Sequence, residues 1–285
     1  MKVVQQAIVV PCGRELLVAV LTRPSQAISR GVLIVVGGPQ YRAGSHRQFK
    51  LLADYLAERR IPVMRFDYRG MGDSTGEARS FEDVAPDLRA AVDVFFENVG
   101  ELREVIVWGL CDAASAALLY CNDDRRITGL VLLNPWIRTA GSEANVYLKH
   151  YYAQRLFTGA LWRKVIHGEF DARASLNALV TNVREATRNR AGGNGSGQAP
   201  EQHALPERMA DGFARFKGRV LLILSGNDLT AKEFSEVTAK STQWGSILDA
   251  PRVTRRSIAG ATHTFSRREW RDQVAAWTDE WLRSW

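Results

Sequence analysis

Apolar residues recur along this chain in two periods, and the two periods alternate. Short runs of strand length, Gly31–Val36 (GVLIVV), Ile61–Phe66, Val105–Trp108, Ile127–Leu133 and Val220–Leu224, are apolar at nearly every position. Such runs fit strands buried on both faces of a parallel sheet. Val253–Ile258 is a last, more polar strand. Between the runs the apolar residues are spaced by three and four. Phe49, Leu52 and Leu56 share one face of a helix predicted over Ser45–Arg60, with Ser45 and Gln48 in a capping-box pattern. Leu88, Val92 and Phe95 do the same in a helix introduced by Ser80 and Asp83. At the start, Ala7–Val10 and Leu16–Leu21 flank Pro11-Cys12-Gly13, a hairpin signal.

Strands alternating with helices predict an α/β fold with a mostly parallel, doubly wound sheet flanked by helices. The alternation stops after Ile127–Leu133. Residues 136–216 hold helical patches (Tyr147–Phe157, Asp171–Arg190) and a Gly-rich stretch, Ala191–Pro200. They predict a helical cap inserted into a core formed by 1–135 and 217–285. Trp270, Trp277, Trp281 and Trp285 fall near one face of a final helix, which packing against the sheet explains.

Composition narrows the function classes. Of 285 residues, 46% are hydrophobic and 24% charged, ordinary values for a globular chain. The net charge of +7 invites a nucleic-acid reading. Lys and Arg are interspersed with Asp and Glu, however, so a solvated basic surface is expected and no nucleic-acid partner. Cys12, Cys111 and Cys121 are odd in number and far apart, which argues against a disulfide framework or a zinc site and for reduced thiols in a cytoplasmic protein. The apolar run before Pro11 is too short for a signal-peptide core, and no run reaches membrane-spanning length. No metal and no cofactor are expected.

The chemistry concentrates where a strand meets a helix. Val105–Trp108 runs into Gly109-Leu110-Cys111-Asp112-Ala113 and then an Ala-rich helix. A nucleophile on so sharp a turn needs small neighbours two residues away on each side, here Gly109 and Ala113. The turn also sets the Asp112 amide at a helix N-terminus, ready to face an oxyanion, and the helix dipole favours a thiolate at Cys111. Taken alone, Cys111 reads equally well as a small buried hydrophobe. Two residues further along the chain decide for the nucleophile. Asp228 comes after the next core strand and His263 lies in a loop after the last strand, which gives the order nucleophile, acid, base. His46, His150, His167 and His203 lack that loop position. Glu233 is the alternative acid.

Gly37-Gly38-Pro39 after the third strand, Asp67–Ser74 (DYRGMGDS), the Gly109–Ala113 turn, Ser225–Asp228 and Gly260–His263 together resemble the α/β-hydrolase superfamily over nearly the whole chain. More narrowly, GGPQYRAGSHRQF, FDYRGMGDS, WGLCDAASAAL and LSGNDLTAKEF resemble the exosortase A system-associated hydrolases of the first type. The resemblance implies a bacterial enzyme linked to exopolysaccharide and protein-sorting systems. Three positions depart from the superfamily pattern. Cysteine stands at 111 in place of serine, as it does in dienelactone hydrolases, which favours thioester or acyl-transfer chemistry. Gly37-Gly38 replaces His-Gly, and Pro39 has no N–H, so the second oxyanion donor falls to Gly38 or Gln40, with Gln40 preferred. Asp228 sits one residue closer to its strand than in many relatives.

The expected function is hydrolysis of a small-molecule ester or thioester through an acyl-cysteine intermediate, with Trp136, Tyr151 and Trp162 contributing to the acyl pocket. Acyl transfer with the same triad and a catalytically silent scaffold are the alternatives. The terminal Trp-rich helix leaves a homodimer open.

Overall fold

The computed structural model describes residues 2–37, 40–137 and 204–285. By its internal contacts the chain divides into one unit made of Met1–Ile137 with Leu205–Trp285 and another of Arg138–Ala204. The first contains the sheet.

Eight strands form that sheet: β1 Val3–Cys12, β2 Glu15–Pro24, β3 Arg30–Val35, β4 Val63–Asp67, β5 Glu104–Leu110, β6 Ile127–Leu133, β7 Arg219–Ser225 and β8 Val253–Ile258. Their order across the sheet is β1-β2-β4-β3-β5-β6-β7-β8. β2 pairs antiparallel with both its neighbours, and every pairing from β4 to β8 is parallel. The opening hairpin outgrows its sequence signal, because β1 and β2 stay in register from Val3↔Pro24 to Cys12↔Glu15. Gly13, at φ 63°, supplies the left-handed turn.

The continuous apolar runs are explained by burial on two faces. In β3, Leu33 and Val35 join one core cluster while Val32, Ile34 and the following Val36 join the other, and all five are inaccessible to solvent. Helices α2 Ala85–Asn98, α3 Asp112–Tyr120 and α4 Leu205–Arg215 contribute to the first cluster. Helices α1 Gln48–Ala57 and α7 Arg268–Leu282 contribute to the second, where Trp281 is buried and Trp270, Trp277 and Trp285 pack partly buried beside it. Two further helices, α5 Leu229–Ala239 and α6 Thr242–Leu248, lie between β7 and β8 in the chain.

Two expectations are corrected here. The capping box at Ser45 does not form. His46 and Arg47 take φ 52° and 59°, so Ser45–Arg47 is a separate short turn, and α1 starts at Gln48 with no side-chain cap. The core also begins its second part earlier than residue 217. The lack of a strand pattern before Val220 puts α4 in the insertion, yet Met209, Ala210 and Phe213 are buried in the first core cluster. Gly212 explains the fit, since a Cβ there would fall 2.3 Å from the Leu118 carbonyl oxygen of α3. Asn122 Nδ2 also donates to Gly212 O at 2.8 Å. Trp136 and Ile137 stay with the core for a similar reason: the Trp136 amide donates to Cys111 O at 3.2 Å, and Ile137 is buried. The Gly-rich stretch 191–200 lies outside the described residues.

β3 sits between β4 and β5, so successive crossovers from β3 leave in opposite directions. Open α/β sheets bind ligands outside the carboxyl ends of their strands beside such a switch point. Cys111 directly follows β5, and Asp228 and His263 follow β7 and β8 at that same end.

Candidate active site

Cys111 is the N-cap of α3 and adopts φ 63°, ψ −126°, a backbone conformation that L-residues rarely occupy. Hydrogen bonds hold it there from three sides. Its amide donates to Leu133 O at 2.9 Å, and its carbonyl accepts from Ala114 N at 3.0 Å and Trp136 N at 3.2 Å. The small neighbours predicted from sequence are required sterically. A Cβ on Gly109 would lie 2.6 Å from the Ala113 carbonyl carbon and 2.7 Å from Ala114 N, and backbone atoms cannot swing aside as a flexible side chain can. The turn thus projects Cys111, partly accessible, from the mouth of the sheet.

His263 hydrogen-bonds to Cys111 on one side, and its Nδ1 lies 3.0 Å from Asp228 Oδ2 on the other. The Asp228 bond, then the Cys111 bond, push the His263 pKa up to about 10 against the opposing effect of burial. The same Asp228 oxygen accepts from Ala231 N at 3.0 Å, so the acid caps α5 as it orients the imidazole. Glu233 lies one turn into that helix and is buried, and the oxygen that meets His263 belongs to Asp228.

The raised pKa carries a prediction about stability. The folded state binds the His263 proton more tightly than the unfolded chain, whose value is near 6.5. The contribution is therefore complete below pH 6.5 and is lost as pH rises through about 10. Urea unfolding of the wild type and His263→Gln should show the wild type's advantage shrinking from pH 6.5 to 9.5. A pH-independent difference between them would contradict the assignment.

The three cysteines differ sharply in setting. Burial pushes the Cys121 thiol up to about 12 and raises Cys12 as well, and both are shielded from solvent. Cys111 stands beside an imidazolium. Iodoacetamide at neutral pH should therefore modify Cys111 at least about tenfold faster than the other two, read by peptide mass spectrometry. Equal labelling would argue against an activated thiol.

The oxyanion side is partly visible. Asp112 N begins α3. The Asp112 carboxylate turns back over the helix start, where its Oδ1 accepts from Ala113 N at 2.9 Å. A Cβ on Gly37 would fall 2.0 Å from that Oδ1. It would also fall 2.9 Å from Ala113 N and from Leu110 O, so the backbone of the Cys111 turn excludes a side chain at 37 as well as the carboxylate does. Gln40 is half-buried, with its Oε1 enclosed and without a hydrogen-bond partner among the described residues. The loop carrying it is pinned by the fully buried Asp67, which accepts from Arg42 N at 2.7 Å and pairs with the Arg42 guanidinium. Burial pushes the Asp67 carboxyl up while Arg42 pulls it down. Asp67 also accepts from Asp73 N at 3.3 Å, so the DYRGMGDS loop and the GGPQYR loop are tied through one carboxylate. Sequence reasoning does not assign that tie.

Trp136 meets the site through its backbone: its amide holds Cys111 O, and its carbonyl accepts from Ser115 Oγ at 2.6 Å. Gly38, Tyr151 and Trp162 lie outside the described residues. No group of three His, Cys, Asp or Glu is placed to hold a metal ion among the described residues, and none of the described helices is long and apolar enough to cross a membrane.

A mostly parallel eight-stranded sheet, a strained turn at Cys111 after β5, Asp228 after β7 and His263 after β8 define the α/β-hydrolase fold. Within that class, the chain belongs to the Hydrolase_4 family, described as serine aminopeptidase, S33, whose model matches residues 28–263. Over 96 residues it is 32% identical to the polyketide transferase grgF of a Penicillium species, a stretch spanning 32% of each protein. Its fold is similar to that of the esterase Pf2001 of Pyrococcus furiosus, with a TM-score of 0.66 and 16% identity over 99% of this chain and 92% of that one. It is also similar to Est1E of Butyrivibrio proteoclasticus, solved with ferulic acid bound, with a TM-score of 0.61 and 16% identity over 97% and 98%.

Proposed function

We propose that this protein hydrolyses an ester or thioester through a covalent acyl-cysteine at Cys111. The observation that carries the reading is the line of three groups: Cys111 on its strained turn, hydrogen-bonded to His263, whose Nδ1 lies 3.0 Å from Asp228.

His263 takes the proton of Cys111, and the sulfur reacts as a thiolate beside the imidazolium. The sulfur attacks the substrate carbonyl, forming the C–S bond and moving the π electrons onto oxygen. The Asp112 amide, with Gln40 or Gly38 as second donor, stabilises that oxyanion, at about 3–4 kcal/mol per donor. Collapse of the adduct expels an alkoxide or thiolate, which takes the proton from His263. Acylation removes the free Cys111 sulfur, one of the partners that raise the His263 pKa. The neutral His263 then removes a proton from water, hydroxide adds to the thioester, and collapse releases the acid and restores Cys111 with its proton on His263. Asp228 holds the Nδ1–H tautomer throughout.

The deciding experiment is intact mass of the protein after brief exposure to activated acyl esters and acyl thioesters, with Cys111→Ala alongside. An acyl adduct that needs Cys111 supports the reading, and its chain-length preference defines the acyl group. No adduct and no turnover from folded protein would move the conclusion to a silent scaffold.

Acyl transfer to a hydroxyl or amine is the second reading, favoured by the identity to a polyketide transferase. Product ratios with added acceptor separate the two. The GGPQYRAGSHRQF and WGLCDAASAAL motifs further support a cytoplasmic role in a bacterial exopolysaccharide and exosortase system.

A further inference from the structure

Asn134 directly follows β6 and is inaccessible to solvent, with φ 44°. Neither the nucleophile, the acid nor the base lies beside it in sequence. Its amide nevertheless makes three hydrogen bonds, all to the strand end and loop that carry the acid and the base. Nδ2 donates to Ser225 Oγ at 2.9 Å and to His263 O at 3.0 Å, and Oδ1 accepts from Ser225 N at 2.8 Å. Ser225 Oγ in turn donates to Thr262 O at 3.0 Å. Two successive carbonyls of the histidine loop are thus held by one side chain, directly and through Ser225. The backbone of the same segment holds the nucleophile. Leu133 O accepts from Cys111 N at 2.9 Å, and Trp136 N donates to Cys111 O at 3.2 Å.

We infer that Asn134 is a positioning residue that fixes the His263 loop against the Cys111 turn, so that four residues, Leu133 to Trp136, set the nucleophile–base distance. The inference rests on the Cys111–His263–Asp228 reading. Physical chemistry explains the residue type. The position needs a left-handed backbone, which asparagine tolerates better than other non-glycine residues. It also needs two donors and an acceptor on a short side chain. Aspartate supplies no donors, and glutamine reaches too far. Loop carbonyls left without donors would let the imidazole drift, and reactions across a positioned pair lose on the order of 100-fold for a misplacement of about 1 Å.

The test uses the full chain and three variants. Asn134→Gly keeps the left-handed backbone at low cost while deleting the amide. Ser225→Ala keeps the Asn134–His263 bond and removes the hydroxyl's two bonds, from Asn134 Nδ2 and to Thr262 O. His263→Ala is the reference without a base. Two readouts are independent of any substrate: the rate of Cys111 carbamidomethylation by iodoacetamide at pH 7, followed by mass, and the His263 ring titration by 15N NMR. Asn134→Gly should alkylate at least about tenfold more slowly, with the His263 midpoint moving down from about 10 toward 6.5. Ser225→Ala should show a smaller change of the same sign. A merely structural asparagine would lower the melting temperature and move neither readout, and that result in folded Asn134→Gly overturns the inference. If Asn134→Gly does not fold, Ser225→Ala decides, and an unchanged rate and titration there overturn it equally. Alkylation as fast in His263→Ala as in the wild type would instead defeat the Cys111–His263 reading, while the titration still judges what Asn134 does.

Discussion

Cys111→Ala should leave a folded protein with no acyl adduct and a kcat reduced on the order of 10^4-fold or more. The residue projects from a turn whose backbone is held by Leu133, Ala114 and Trp136, so alanine keeps every hydrogen bond of the elbow and loses only sulfur. Melting temperature should therefore stay close to that of the wild type. Cys111→Ser is the more discriminating partner. Serine restores the residue for which the family is named, but it places a hydroxyl beside an imidazole whose protonation is supported partly by Cys111. A protonated imidazole has no lone pair to accept the serine proton, so turnover must wait for the minor neutral form. The serine variant should accumulate an oxygen ester detectable by mass yet turn over on the order of 100-fold more slowly than cysteine on thioesters. Equal rates for serine and cysteine would mean that the sulfur is incidental, and an adduct persisting in the alanine variant would place the nucleophile elsewhere.

The parts of this site that are local are legible in the sequence, and the parts that depend on convergence are not. The elbow is local: Gly109, Cys111 and Ala113 must be small, reactive and small whatever the rest of the chain does, because the clash at Gly109 is with the backbone of Ala113 and Ala114, close by in the chain. Strands β6 and β8 have the bounds that their apolar patterns predict, Ile127–Leu133 and Val253–Ile258. The capping box at Ser45 fails because the motif tests residue types, whereas His46 and Arg47 are held at positive φ by a turn that no type preference announces. Sequence places α4 in the insertion because no strand pattern returns before Val220, and a missing strand does not say which surface receives a helix such as that of Met209, Ala210 and Phe213. The carboxylate of Asp112 is an isolated oddity in the sequence, and only the geometry shows that it fills the space above Gly37. Asn134 has no signal at all. An Asn before Pro reads as a turn, and its function exists only once the ends of β6, β7 and the His263 loop are brought together.

Asp228→Asn should lower kcat/KM on the order of 10^3-fold while leaving the fold intact, and the argument turns on the two bonds that one oxygen makes. Asp228 Oδ2 accepts from Ala231 N as the cap of α5 and lies 3.0 Å from His263 Nδ1. Asparagine is as good an N-cap as aspartate, so the capping bond survives, whereas alanine would add a loss of about 1 kcal/mol in stability to any loss of activity. What asparagine removes is the charge. The first cause of the raised His263 pKa disappears, and the midpoint should fall from about 10 toward 6.5 in an NMR titration. The amide can also turn its NH2 toward His263 and favour the wrong tautomer, which accounts for most of the expected kinetic loss. Stability shifts in the same sense: the part that the wild type loses between pH 6.5 and 10 should be missing from Asp228→Asn, whose unfolding midpoint should vary less across that range. Glu233→Gln completes the comparison. Glu233 is buried within α5 and is not the acid that meets His263, so its amide variant should leave both the kinetics and the His263 titration unchanged. If Glu233→Gln abolished activity and Asp228→Asn spared it, the acid of the triad would be Glu233, reached through a rearranged α5 start, and the resting ion pair derived from Asp228 would have to be abandoned with it.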